Sequence, residues 1–290
     1  MDQAEKLRER VKQHNQLNIG NTRVITVTSG KGGVGKSSVS SNLALQFTNQ
    51  GKRVIILDAD FGLANIEVMF GVVPKYTLAD LMFEGKELKD IISEGLNGVK
   101  FISGGSGIAK LGNLDKDQVL RILYKLNDLE NMADVLIIDT GAGIAPSVLE
   151  FAVASPEILL VTTPEPTSIM DSYALLKALA MHPGYDSSNT KVLLVANKVS
   201  APSESRNIYD KLSAVVDRFL DLKLEYLGAV PQDMYITKAI MKQKPVSLAF
   251  PNASASKAFQ TMVQKLESGA DQISDKRKGV ARFFENLFKK

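Results

Sequence analysis

Residues 29–38 read SGKGGVGKSS, and they follow the apolar run Val24-Ile25-Thr26-Val27-Thr28. Gly30 through Ser37 fit the spacing G-x-x-x-x-G-K-[ST], and helical spacing begins directly afterwards. A strand that ends in such a loop and continues as a helix has a strong physical use. Glycines let successive backbone N–H groups converge on phosphate oxygens. The helix adds the positive end of its dipole. Lys36 reaches the β- and γ-phosphates, and the Ser37 hydroxyl ligates Mg²⁺. Gly30, Lys31, Gly32, Gly33, Val34, Gly35, Lys36, Ser37 and Ser38 are therefore the expected phosphate-binding residues. A Gly-rich turn without a ligand is the alternative, and the full match in its strand–loop–helix setting disfavours it.

Outward from this loop, short Val- and Ile-rich runs recur at 54–57, 99–102, 135–138, 158–161, 192–195 and 224–230. They are continuous rather than alternating, as in strands covered on both faces of a parallel sheet. Helical spacing appears between them at 38–49, 114–129, 168–180 and 204–220. Strand and helix in alternation predict an α/β fold with a mostly parallel, doubly wound sheet. We expect that domain over residues 21–275, with short helical elements outside it at 1–20 and 276–290.

Composition narrows the function. Of 290 residues, 44% are apolar, and the formal net charge is +3. So nearly neutral a chain is no bulk electrostatic partner for nucleic acid, and no specific nucleic acid is expected. It contains no Cys, which excludes a disulfide framework, a thiolate metal site and a cysteine nucleophile. The charged start is unlike a signal peptide, and no apolar run reaches the roughly 20 residues of a spanning helix. A cytoplasmic protein is expected.

Three acids stand at strand ends. Asp58 and Asp60 follow the run 54–57, and Asp139 follows 135–138. Ligands of open α/β sheets bind beyond the carboxyl ends of the strands, which places these acids near the phosphates. A helix N-cap is the alternative for each. Asn197 ends the run 192–195; its amide both donates and accepts, so it can read the edge of adenine. Pro231-Gln232-Asp233 ends the next strand, with an ordinary turn as the alternative.

Lys31, directly after the first glycine, is superfluous for a simple cradle. It makes the loop resemble the KGGxGK[ST] of the deviant Walker A ATPases, whose members include MinD, ParA and the nitrogenase iron protein. The resemblance spans about residues 21–250. It implies ATP as substrate, Mg²⁺ as cofactor and a face-to-face homodimer held by ATP. Lys31 would cross to the partner's phosphates and neutralise transition-state charge, as an arginine finger does. Lys31, Lys36 and Asp60 become the catalytic residues, with Asp60 ordering the attacking water. Ser37, Asp58 and Asp139 fall to the metal, Asp58 as a support of its shell. The family's PxD loop implies base contacts from Pro231 and Asp233 beside Asn197, and Glu165 would meet the partner's nucleotide. One departure is Thr140, where family members usually carry Pro; Gly141 and Gly143 keep that turn pliable.

The two ends are distinctive. Val280, Phe283, Phe284, Leu287 and Phe288 form one helical stripe flanked by Lys276, Arg277, Lys278, Arg282, Lys289 and Lys290. Such a helix suits an anionic membrane, and two in a dimer hold better than one. It predicts a cytoplasmic protein reversibly bound at the inner face of the cell membrane. A groove on the domain would accept the same stripe. With this helix the chain looks most similar to MinD; septum-positioning MinD and DNA-partitioning ParA proteins are the rival classes. At the other end, DQAEKLR (residues 2–8) resembles the DQAxxLR element of the FlhG family (also called YlxH or FleN), which regulates flagellar number and placement. That resemblance implies that Gln3, with Arg8 beside it, stimulates the GTPase FlhF, and that flagellar C-ring proteins are further partners. A frayed tail is the alternative.

Overall fold

The computed structural model describes residues 22–60, 65–105, 125–269 and 279–288. β1 (Arg23–Ser29) leads through the loop into α1 (Lys36–Asn49) and β2 (Val54–Ala59). Short helices α2 (Asn65–Phe70), α3 (Leu78–Phe83) and α4 (Leu88–Ile91) precede β3 (Ile92–Glu94) and β4 (Lys100–Ser103). Then come α5 (Leu129–Met132), β5 (Val135–Ala142), α6 (Pro146–Ala154), β6 (Glu157–Thr162), α7 (Pro166–Ala180), β7 (Lys191–Val199), α8 (Pro202–Phe219) and β8 (Leu224–Pro231). α9 (Met234–Met241), α10 (Val246–Ala249), α11 (Ser254–Ser268) and α12 (Val280–Phe288) follow.

The strands form one eight-stranded sheet in the order β3-β4-β2-β5-β1-β6-β7-β8, parallel at every step except β3–β4. This is the mostly parallel sheet that the Val- and Ile-rich runs predict. Alternate side chains of its strands enter opposite helical layers. Ile25 and Val27 pack with Val39, Leu43 and Phe47 of α1 and with Phe259 and Met262 of α11. Val24 joins Leu136 and Ile138 of β5 against Phe151 of α6 and Phe283 of α12. On that same side, Ile158 and Leu160 of β6 meet Leu175 of α7 and Ile208 and Leu212 of α8. β1 lies between β5 and β6, where the chain's path across the sheet reverses; a ligand crevice opens at such a switch point.

α12 packs on α6. Val280, Phe283 and Phe284 are buried and Leu287 partly so, with the Phe283 ring centroid 6.1 Å from that of Phe151. The apolar stripe therefore covers its own domain, the groove alternative, and any membrane attachment requires the helix to leave that seat. Glu130 of α5 ties this helix to the start of β1. Its carboxylate accepts from Thr22 N and from Ala281 N, each at 3.3 Å, while Gly279 N donates to Thr22 O at 3.1 Å. The Phe288 side chain and residues 1–21, with Gln3 and Arg8, lie outside the described residues. No helix among those described is long and apolar enough to cross a membrane.

Candidate functional site

The loop of residues 30–35 sits at the carboxyl end of β1, at the switch point. Its glycines answer to close approaches. A Cβ at Gly30 would lie 2.1 Å from the Asp171 carbonyl carbon of α7, so the loop is pressed onto that helix. Gly35 has φ +98°, and a Cβ there would meet the Asn197 amide nitrogen at 2.4 Å. No side chain caps α1, so the N–H groups of its first turn remain open to an anion.

Lys36 is buried among carboxylates. Desolvation lowers its pKa, and Asp139 and Asp60 oppose that shift. Asp139 is fully buried; Ser40 Oγ donates to its Oδ1 at 2.8 Å, while Oδ2 has no hydrogen-bond partner. Burial pushes this carboxyl up to about 6, against the pull of the Ser37 and Ser40 hydroxyls and of Lys36. Asp58 pairs in register with Asp139 on the neighbouring strand, and burial together with that like charge pushes it up to about 8. Its oxygens accept from Asp60 N and Ile66 N, each at 3.1 Å, and so hold together the two ends of the segment between β2 and α2. Asp60 Oδ2 accepts from Asn65 Nδ2 at 2.9 Å.

This donor set fits a divalent cation. A buried carboxylate oxygen without a partner, beside the Ser37 hydroxyl, is an unfilled demand for positive charge. Among the described residues no three acidic or histidine side chains converge to hold a metal by themselves. That is the expected economy for Mg²⁺, which keeps waters and shares phosphate oxygens. Thr140 of β5 donates its hydroxyl towards Val27 O at 3.1 Å and Gly141 O at 2.9 Å.

Two predicted residues meet each other. Lys31 Nζ donates to Glu165 Oε2 at 2.7 Å and to Thr167 Oγ1 at 2.9 Å. The ion pair is exposed, and Lys31 holds the Glu165 carboxyl below its usual range.

On the base side, Val199 of β7 pairs with Pro231 of β8, which brings the two expected base loops side by side. Their polar groups already have partners. Asn197 Nδ2 donates to Val34 O at 2.7 Å, and its Oδ1 accepts from Lys198 N at 2.9 Å. Asp233 caps α9 through Tyr235 N at 2.9 Å and accepts from Ala255 N at 3.1 Å. Sequence reading missed three residues at the site: Ser40, Asn65 and Lys198. The spacing of Ser40, one helical turn after Lys36, was the available signal for the first.

The sequence model of the ParA family, described as NUBPL iron-transfer P-loop NTPase, matches residues 20–267. The chain belongs to the ParA family. Its lack of Cys leaves it without thiolates for an iron–sulphur cluster. The chain is 45% identical to antiactivator FleN of Pseudomonas aeruginosa, over 85% of this chain and 86% of that protein. It is 34% identical to the flagellum site-determining protein YlxH of Helicobacter pylori, over 94% of this chain and 92% of that one. In fold it is similar to the septum site-determining protein MinD of Pyrococcus horikoshii complexed with Mg-ADP, with TM-score 0.66, 22% identity, and coverage of 87% of this chain and 99% of that one. As a ParA-family P-loop NTPase of the MinD/ParA type, the protein is an ATPase.

Proposed function

We propose that this ParA-family ATPase is a dimerising switch that regulates flagellar number and placement. The observation that carries this reading is the 45% identity to antiactivator FleN over 85% of the chain. Its likeness to YlxH and its DQAEKLR segment add support. ATP is the nucleotide, and Ser37 and Asp139 would hold Mg²⁺, whose charge neutralises the β- and γ-phosphates when bound. The loop N–H groups and Lys36 hold the phosphates. Asp60 orients the attacking water, and Asn65 holds Asp60. Lys31, parked on Glu165 by an exposed and solvent-screened pair, is free to exchange that partner for a second protomer's phosphates.

Dimerisation would free α12 for an anionic membrane at the inner face of the cell membrane, and hydrolysis would return it to the groove. Gln3, backed by Arg8, would order water in the GTPase FlhF, and flagellar C-ring proteins are the remaining expected partners. A peptide of residues 1–20 should accelerate GTP hydrolysis by FlhF, and Gln3→Ala should abolish the effect. No acceleration would remove the activator role. Sedimentation with anionic vesicles and ATP, with and without residues 276–290, tests the helix; unchanged binding after truncation would remove it.

A further inference from the structure

Lys198 stands near the end of β7, where the register with β8 shifts, and among the described residues it is one of three non-glycine residues with positive φ, at +57°. Its exposed side chain reaches across to donate from Nζ to Gly33 O at 2.8 Å. The preceding Asn197 donates to Val34 O at 2.7 Å. Consecutive residues of a strand point to opposite faces of the sheet. These two side chains nonetheless grip adjacent carbonyls of one loop, and the left-handed turn at Lys198 accompanies that arrangement. If the turn were the whole purpose, glycine would make it without strain.

The effect on the loop follows from peptide geometry. In a trans peptide the C=O and the N–H point in opposite directions. Holding Gly33 O outwards turns the Val34 N–H the other way, and holding Val34 O does the same for the Gly35 N–H. We propose that Lys198 is a positioning residue which, with Asn197, fixes two successive phosphate-loop N–H groups towards the nucleotide's β-phosphate before it arrives. This rests on the reading of residues 30–38 as the phosphate cradle. Donors aligned in advance bind without the cost of ordering them in the complex.

The test is the equilibrium affinity for MgADP and for AMP, which has no β-phosphate, together with the melting midpoint of the nucleotide-free protein. Lys198→Met keeps the stem and loses the donor; Lys198→Gly also removes the strain; Lys198→Arg keeps a cationic donor. Losing that pre-alignment should weaken MgADP about tenfold in Lys198→Met and Lys198→Gly. AMP affinity and the midpoint of Lys198→Met should stay at the parent's values, and Lys198→Arg should recover most of the loss. MgADP affinity within twofold of the parent in Lys198→Met would overturn the proposal. So would an equal loss for AMP, a loss that tracks a fallen midpoint, or full affinity in Lys198→Gly. A parent chain that binds no MgADP would overturn the cradle reading along with it.

Discussion

Asp60 is gripped by the amide of Asn65, which donates to its Oδ2 at 2.9 Å. Asp60→Ala should lower phosphate release at least about 100-fold, the usual scale for a lost water-orienting group. It should also prolong the ATP-held dimer on size-exclusion chromatography; a dimer lifetime equal to the parent's would count against the role. The neighbouring acids predict a pH effect. Asp58 and Asp139, raised to about 8 and about 6, bind more protons in the folded, metal-free chain than in the unfolded one. Stability from such groups is present at low pH and lost as pH rises from roughly 4 to 8. The EDTA-treated protein should therefore melt lower at about pH 8.5 than at about pH 5.5. Mg²⁺ with ADP should lift the midpoint more at the higher pH, since bound cation favours the ionised acids. A midpoint flat in pH would refute the assignment of these shifts.

α12 is where an element can be loosened without altering its own stripe. Phe151→Ala, on α6, removes the ring beneath Phe283 and should cost roughly 3–5 kcal/mol, part of it from the helix's seat. In this variant the nucleotide-free protein should sediment with anionic vesicles, whereas the parent should need ATP. Equal vesicle binding by both would show that the groove does not restrain the helix. Elements also mark what the sequence makes legible. Continuous Val and Ile runs expose the interior parallel strands because both faces are buried. β3 escapes, since three residues at a half-exposed edge leave no run. The turn from β1 into α1 is legible in G-x-x-x-x-G-K-S, and Asp58 and Asp139 are legible as residues that close Val- and Ile-rich runs. Lys198 and Asn65 are not, because each owes its contact to where the chain turns. Asn197 shows the limit from the other side: an amide at a strand end is visible in the sequence, but its bonds to Val34 O and Lys198 N are not.

For the whole molecule, the proposed dimerisation and membrane attachment would multiply. Two α12 helices on one particle would make the second insertion intramolecular, raising avidity by roughly 10²–10⁴ without any new contact. Asp60→Ala with ATP should therefore bind anionic vesicles far more tightly than the parent with ADP. Similar affinities would separate lipid binding from dimerisation.

The Glu130 carboxylate gives the two chain ends a common knot. It is shared between Thr22, which follows residues 1–21, and Ala281 at the first turn of α12. Lifting α12 onto a membrane would take the Gly279 and Ala281 bonds with it and leave Thr22 held by Glu130 and Ala133 alone. The linkage is reciprocal: whatever draws Thr22 away lowers the cost of lifting the helix. A protein that pulls on the chain at Thr22 would thereby act as a lipid-affinity effector.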